Sequence, residues 1–133
     1  MQRLPFADAS FDKAVSITAL EFIEDARGAV DELFRVTRPG GCVVVATLNS
    51  LSPWATRRKA KTLQGQRHIL EGAFFRSPDE LLACSQLKGI AGTAVHFQKD
   101  DDPAEAAITE RRGNLLGLDT GAFVAVRWVK PDR

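Results

Sequence analysis

The amino-acid sequence predicts an α/β fold, in which strands and helices alternate along the chain. A β-rich segment at residues 11–18 (FDKAVSIT) is followed by a helical pattern and then by a β-branched run at residues 42–47 (CVVVAT). Strand, helix and strand within about 37 residues are typical of a βαβ unit with a parallel strand pair. The second run does not alternate between apolar and polar residues, which favours a strand covered on both faces.

The helix between these strands is predicted from its apolar periodicity. The acidic pair Glu24-Asp25 suits its amino-terminal end, and Pro39-Gly40-Gly41 is expected to stop it. In the first strand, one face carries larger apolar residues and the other carries small ones. The apolar positions of the helix are Val30, Leu33, Phe34 and Thr37. The strand face with larger residues has Phe11, Val15 and Ile17, and the face with small residues has Ala14, Ser16 and Thr18.

The second half of the chain shows capping and turn signals. Ser77-Pro78-Asp79-Glu80 is a capping box, in which Ser77 and Glu80 satisfy each other's backbone amides. In chain order we predict a helix from Pro53 to about Gly65, the capped helix to near Gly89, a strand at residues 93–98, a short helix beginning after Asp102, and a strand at residues 121–129.

Length and composition indicate a single soluble domain over residues 1–133. The apolar share of 44% and the charged share of 26% are ordinary, and the net charge of +1 favours neither nucleic acid nor an anionic membrane. No apolar run approaches the roughly 20 residues that span a bilayer, and no signal peptide is recognisable, so we expect a cytoplasmic protein. Cys42 and Cys84 are interpreted as buried, reduced thiols; no metal site is predicted, although a disulfide or a two-cysteine site is the alternative.

Three motifs carry a family resemblance. Leu4-Pro5-Phe6, Ser10-Phe11-Asp12 and residues 32–41 (ELFRVTRPGG) resemble class I S-adenosylmethionine-dependent methyltransferases in order and spacing, and the likeness extends over essentially the whole chain. The resemblance implies a partial Rossmann-like methyltransferase fold. It would be a four-stranded mixed sheet with flanking helices, made of family strands four to seven with the last strand antiparallel.

The resemblance covers the carboxyl-terminal half of that fold. The sequence has no G-x-G-x-G turn, and the acidic residues that hold the ribose and adenine in the family have no counterpart. S-adenosylmethionine is the implied cofactor, but half of its crevice does not make an enclosed site, so we expect neither binding nor activity from this chain alone. The alternative function is a non-catalytic remnant that works as a self-association or interaction module.

The resemblance also implies site residues on the strand ends. Leu4 and Phe6 would lie near adenine, and Thr18, Ala19 and Leu20 near the methionine portion. Glu21 would orient an amine, or else be a solvated loop carboxylate. Phe22 stands where relatives often have a histidine, so no catalytic residue is assigned. The residues expected to line the acceptor site are Phe22, Asn49, Trp54, His68 and Phe74.

The first strand would be left at the edge of the sheet with an apolar face. Such edges are seldom open in natural proteins, so we expect residues 11–18 to pair with a second copy or with the missing amino-terminal half. A small-molecule acceptor fits the family, although lipids, quinones and proteins are methylated by relatives with similar motifs. A nucleic-acid module using the basic residues at 57–67 is less favoured than a solvated helix face.

Overall fold

The computed structural model describes residues 3–65 and 73–132, without the side chains of residues 62 and 63. His68 and Arg67 lie outside these residues. The elements are β1 (Phe11–Ile17), α1 (Ala26–Val36), β2 (Thr37–Leu48), α2 (Pro53–Leu63), α3 (Pro78–Leu82), β3 (Ile90–Ala94), α4 (Pro103–Leu116) and β4 (Phe123–Val129). A short 3₁₀ turn at Leu20–Phe22 connects β1 to α1.

The four strands form one mixed sheet in the order β1-β2-β4-β3. β1 and β2 are parallel, with Ala14 opposite Val43 and Ile17 opposite Ala46. β4 is antiparallel to both of its neighbours, β2 and β3. The predicted α/β class, with a four-stranded mixed sheet and an antiparallel last strand, is therefore confirmed.

One face of the sheet carries the core. Val43, Val45 and Val126 are fully or almost fully buried beneath Val30 and Leu33 of α1. The apolar stripe of α1 therefore packs as predicted, and Asp25 caps the helix by accepting the amide of Gly28 at 3.0 Å. On β1 the small residues face this core, because the close approach of α1 leaves room only for small side chains there.

The opposite face of the sheet is largely open. Val15 and Ile17 of β1 are 56% and 61% exposed, and Val129 at the end of β4 is 58% exposed. The expectation that residues 42–47 are covered on both faces is wrong, since buried and half-buried residues alternate along β2. Both α1 and α3 contribute residues to the core on the buried face.

The glycines after α1 belong to a strand rather than to a helix stop. α1 ends at Val36, and β2 begins at Thr37 and continues through Pro39-Gly40-Gly41. Gly40 has φ of +82°, and a Cβ on Gly41 would lie 2.3 Å from the carbonyl oxygen of Asp12. Glycine is needed at both positions because the pairing of β2 with β1 is irregular here and the two backbones approach closely.

Three predicted boundaries in the second half are wrong. The capping box at Ser77 and Glu80 is present, but α3 ends at Leu82 rather than near Gly89, which packs against Trp128. β3 spans residues 90–94 rather than 93–98, because Val95 has a left-handed backbone with φ of +66°. α4 is 14 residues long rather than short, and it continues through Gly113. A glycine is needed at this position because a Cβ would clash with the His96 ring.

Both ends of the described chain are attached to α1. Glu32 accepts the backbone amide of Leu4 at 2.8 Å, and Arg35 donates to the carbonyl of Leu4 at 3.2 Å and to Asp8 at 2.7 Å. At the other end, Lys130 Nζ donates to the carbonyls of Phe34 and Thr37, both at 2.7 Å. The ammonium group therefore satisfies carbonyls at the carboxyl end of the helix, where the helix dipole also favours a cation.

The cysteines were expected to be buried, reduced thiols, and this holds fully for Cys84 alone. Cys84 is buried and Cys42 is half-buried, and both are free thiols. Burial raises the pKa of the Cys84 thiol. No helix within residues 3–65 and 73–132 is long and apolar enough to cross a bilayer.

The attachment of Leu4 makes a pH prediction. The hydrogen bond from Arg35, followed by the one from the Leu4 amide, lowers the pKa of Glu32 from 4.5 to about 2. A carboxyl group with a depressed folded pKa stabilises the fold fully above pH 4.5 and loses that contribution as the pH falls toward 2. Carboxyl titration by NMR should therefore place the Glu32 midpoint near pH 2.

The Arg35→Met variant supplies the control for this titration. It removes the larger cause of the shift, so the Glu32 midpoint should move back toward 4.5. A midpoint near 4.5 in the unmodified chain would show that the attachment does not form in solution.

Candidate functional site

The carboxyl ends of β1 and β2 lie side by side and begin the candidate site. The amide of Thr18 donates to the carbonyl of Ala46 at 2.9 Å, extending the parallel ladder by one residue. Thr18 has φ of +52°, an uncommon conformation for a β-branched residue, and its hydroxyl donates to the carbonyl of Ile17 at 2.7 Å. The left-handed residue turns the chain sharply, so that the loop after β1 crosses the end of the sheet.

Glu21 is a buried carboxylate within this loop. It is 1% exposed, and its Oε1 accepts a hydrogen bond from the hydroxyl of Thr47 in β2. Its carbonyl oxygen accepts the amide of Phe74 at 2.7 Å. The interpretation of Glu21 as a solvated loop carboxylate is therefore wrong: the side chain is buried and held between the carboxyl ends of β1 and β2.

Arg76 fixes the loop from the other side. Arg76 is 8% exposed, and its guanidinium donates to the carbonyls of Leu20 and Ile23 at 2.6 Å each, and to that of Glu24 at 3.2 Å. The Arg76 backbone is itself fixed, since its amide donates to the Leu48 carbonyl and its carbonyl accepts the Ser50 amide. Arg76 thus joins the loop after β1, through its side chain, to the end of β2, through its backbone.

The other residues predicted after β1 have different surroundings. Leu20 is fully buried in the core, so its side chain does not face the strand-end crevice. Ala19 is half-buried, and the Phe22 ring is 61% exposed beside the buried Glu21. Thr18, Ala19, Glu21 and Phe22 are therefore brought to one edge of the sheet.

Leu4 and Phe6 do not join that group. The Phe6 ring meets Phe11 edge-on, with centroids 5.0 Å apart, at the amino end of β1. Leu4 is bound to Glu32 and Arg35 of α1. A seven-residue strand separates its two ends by roughly 20 Å, so these residues lie far from Thr18 along β1.

Two of the residues predicted to line the acceptor site, Asn49 and Trp54, lie in the wall of a cleft beside Arg76. The cleft has a volume of about 230 Å³ and lies between α2, the end of β2 and the start of β4. Asn49 and Trp54 line it, whereas Phe74 is 40% exposed and packs its ring against the Arg76 guanidinium. The full lining is Leu48, Asn49, Ser52, Trp54, Ala55, Arg58, Phe75, Val95, Ala122 and Phe123.

Asn49 also has a structural role that the sequence did not indicate. Its side-chain amide donates to the carbonyls of Asp119 and Gly121 at 2.7 and 2.8 Å, and its Oδ1 accepts the Leu51 amide. The residue is 1% exposed. Both of its donor hydrogens are therefore used to attach the loop before β4 to the end of β2.

Sequence reasoning missed Arg76 and Thr47. Arg76 follows two phenylalanines and precedes the capping box, and a lone arginine in such an apolar setting is a usable signal of a buried, hydrogen-bonded side chain. Thr47 gave no signal, because a threonine in a strand is explained by β propensity alone. Its partner Glu21 is 26 residues away in the sequence.

The contacts of Arg76 predict a large effect on stability. In an Arg76→Met variant the carbonyls of Leu20, Ile23 and Glu24 lose a charged donor, and the free energy of unfolding should fall by about 3 kcal/mol. Arg111→Met, at an exposed position of α4, is the matched control and should stay within about 0.5 kcal/mol. Urea unfolding measures both, and equal losses would show that Arg76 does not hold the loop.

Comparisons with known proteins agree with the fold and with the family resemblance. A family model described as a methyltransferase domain matches residues 1–45. The malonyl-[acyl-carrier protein] O-methyltransferase of Erwinia pyrifoliae is 35% identical over 122 residues, covering 72% of this chain and 45% of that protein. The demethylmenaquinone methyltransferase of Beutenbergia cavernae is 49% identical over 53 residues, or 40% of this chain and 22% of that protein.

Solved structures share the fold. A SAM-dependent methyltransferase of Thermotoga maritima superimposes with a TM-score of 0.76 at 22% identity, covering 97% of this chain and 60% of that one. Another, from Methanosarcina mazei, gives a TM-score of 0.57 at 17% identity, over 99% of this chain and 65% of that one. The chain spans less than half the length of the curated relatives described above. From its sequence motifs, its matched relatives and its sheet topology, the chain belongs to the class I S-adenosylmethionine-dependent methyltransferase family.

Proposed function

We propose that this chain forms one side of a methyltransferase site, in which a methyl group passes from S-adenosylmethionine to an acceptor at the carboxyl ends of β1 and β2. The buried Glu21, held by Thr47 across the two strand ends, is the observation that carries the proposal. Ligands of open α/β sheets bind at such strand ends. A buried carboxylate at that point is also costly to keep unless it is bound by partners.

The residues present fit one wall of a cofactor site. The left-handed Thr18 brings the backbone of residues 18–21 across the strand ends, and Ala19 adds no bulk there. The cofactor, when bound, supplies a methyl group on a positively charged sulfur. A displacement at that carbon depends mainly on alignment, so the contribution of this wall is to position the reactants.

The chemistry assigned to this chain is therefore positioning. Glu21 would orient a cationic or amine group, and the exposed rings of Phe22 and Phe74 would lie on the acceptor side. Within the described residues, no cluster of three or more metal-ligating side chains is present. No residue is proposed as a general base. We expect a small-molecule acceptor and a cytoplasmic reaction, with no role for nucleic acid, given the net charge of +1.

The proposal includes a dependence on a second surface. The sequence has no glycine-rich G-x-G-x-G turn, and the described residues leave the other side of the strand-end crevice open. We infer that the 133-residue chain is inactive by itself, and that it binds S-adenosylhomocysteine only when a complementary half of the fold is supplied.

Calorimetric titration with S-adenosylhomocysteine tests this function. The chain alone should give no saturable heat at high-micromolar ligand. A chimera that joins the amino-terminal part of the Erwinia pyrifoliae relative to this chain should bind one equivalent, because it restores the missing wall.

Variants of the chimera sharpen the test. Glu21→Ala should weaken binding, whereas Glu24→Ala, an exposed carboxylate in the same loop, should not. A folded chimera without affinity would overturn the proposed function. Tight binding by the 133-residue chain alone would overturn the inferred dependence on a second surface.

The second candidate function is self-association through β1. In the described chain β1 pairs only with β2, so its outer backbone groups are unpaired, and Val15 and Ile17 are exposed beside them. An antiparallel pairing of two copies centred on Ala14 would place Phe11 opposite Ile17 twice. Such apolar cross-strand pairs are stabilising, and the pairing would make one continuous sheet.

Sedimentation of charged variants tests this association. The unmodified chain should be a dimer, and Ile17→Lys should make it a monomer by placing a charge in the new strand pair. Ile90→Lys is the matched control, because Ile90 is 65% exposed on β3 at the opposite edge of the sheet. A monomeric unmodified chain in dilute solution, or equal dissociation by both variants, would contradict the prediction.

A further inference from the structure

The cleft beside Arg76 has polar residues in its lining, and three of them already make hydrogen bonds within the protein. The Asn49 amide donates to two backbone carbonyls, and the indole N–H of Trp54 donates to the carbonyl of Phe97 at 2.8 Å. Ser52 Oγ accepts the backbone amide of Trp54 at 3.0 Å. These groups build the walls of the cleft, so they have little capacity left to bind a polar ligand.

Apart from Arg58, the remaining lining is apolar. Leu48 and Phe123 come from the sheet, Ala55 from α2 and Phe75 from the segment before α3. Arg58, the charged residue in this set, has its guanidinium 5.9 Å from the centre of the Phe75 ring. A polar group that entered this space would lose water without gaining equivalent hydrogen bonds, which costs free energy.

One wall of the cleft is held in a strained conformation. Val95 is a β-branched residue with φ of +66°, which is uncommon for a residue other than glycine. The Glu110 carboxylate accepts the amides of Val95 and His96 at 3.0 and 2.6 Å, and the Val95 carbonyl accepts the Ala122 amide at 2.9 Å. Strain of this kind persists where surrounding contacts fix it, and it is concentrated at ligand sites.

The cleft adjoins the strand-end site through two short links. Leu48, which lines it, follows Thr47, the partner of Glu21. Phe75, on another wall, follows Phe74, whose amide binds the Glu21 carbonyl. The cleft and Glu21 therefore lie at the same end of β2 but on opposite faces of the sheet, because consecutive strand residues point to opposite sides.

We propose that this cleft binds an uncharged hydrocarbon group, and that this group is the apolar part of the methyl acceptor. The second clause rests on the proposed function; the first does not. An apolar cavity of about 150 Å³ holds benzene, so a cleft of this volume suits roughly six to nine carbon atoms. Polar or charged parts of the same molecule remain outside, toward solvent or the strand ends.

The two indole N–H groups of the chain provide the readout. Trp54 lies in the wall of the cleft, whereas Trp128 is 1% exposed in the core and serves as an internal reference for the fold. In ¹H–¹⁵N NMR spectra, 1-butanol, 1-pentanol and 1-hexanol should shift the Trp54 signal saturably and leave that of Trp128 in place. The affinity should rise about fourfold with each added CH₂.

A polar probe tests the chemistry of the site. 1,6-Hexanediol has the same chain as 1-hexanol but must bury one hydroxyl, so it should bind about fivefold more weakly or worse. Equal affinity for the two compounds, or an affinity that does not depend on chain length, would overturn the proposal.

Blocking variants test the location. Ala55→Phe should fill the cleft and abolish the Trp54 shift, and Ala60→Phe, at an exposed position of the same helix, should preserve it. If the Trp128 signal shows that Ala55→Phe is unfolded, Ala55→Leu is the smaller blocking variant and should weaken binding. Retained binding in a folded Ala55 variant would overturn the proposal. These experiments use no cofactor, so their outcome is independent of the S-adenosylhomocysteine titration.

Discussion

The buried guanidinium of Arg76 is the interaction on which the site depends. It has no carboxylate as its main partner; it binds backbone carbonyls of the loop after β1 instead. A side chain of this kind fixes the position of the backbone, whereas the Glu21 carboxyl group accepts its hydrogen bond from the Thr47 hydroxyl. The strand ends, the loop and the cleft wall are thereby fixed relative to one another, so that geometry at the site follows from one hydrogen-bonded cation.

Local signals made much of the fold predictable. β1 and α1 follow from hydrophobic periodicity, β2 from its run of β-branched residues, and the cap of α3 from Ser77 and Glu80. Each of these signals lies within a few residues of the structure that it predicts. The misplaced β3 has a non-local cause: its register is set by β4, and its end is set by the left-handed Val95. The site was predictable only where its signal was local. Glu21 was found by its place after a strand, whereas Arg76 binds residues more than 50 positions away in the sequence.

The open face of the sheet leaves apolar side chains of β1 in contact with solvent. Val15 and Ile17 are the larger apolar residues of β1, yet they face away from the core, and small residues lie beneath α1. Because these larger side chains are not buried by α1, covering the outer side of β1 would remove more apolar surface from water and stabilise the strand. Its stability and its ligand affinity are therefore expected to change together when that side is covered.

The place of β4 in the sheet has a consequence for biosynthesis. The last strand in the sequence lies between β2 and β3, so β3 has no strand partner until residues 123–129 have left the ribosome. Lys130, which satisfies the end of α1, emerges later still. The nascent chain therefore carries an unpaired β3 from its emergence until β4 follows, and the sheet then closes by long-range pairing, which favours slow folding and exposure to chaperones.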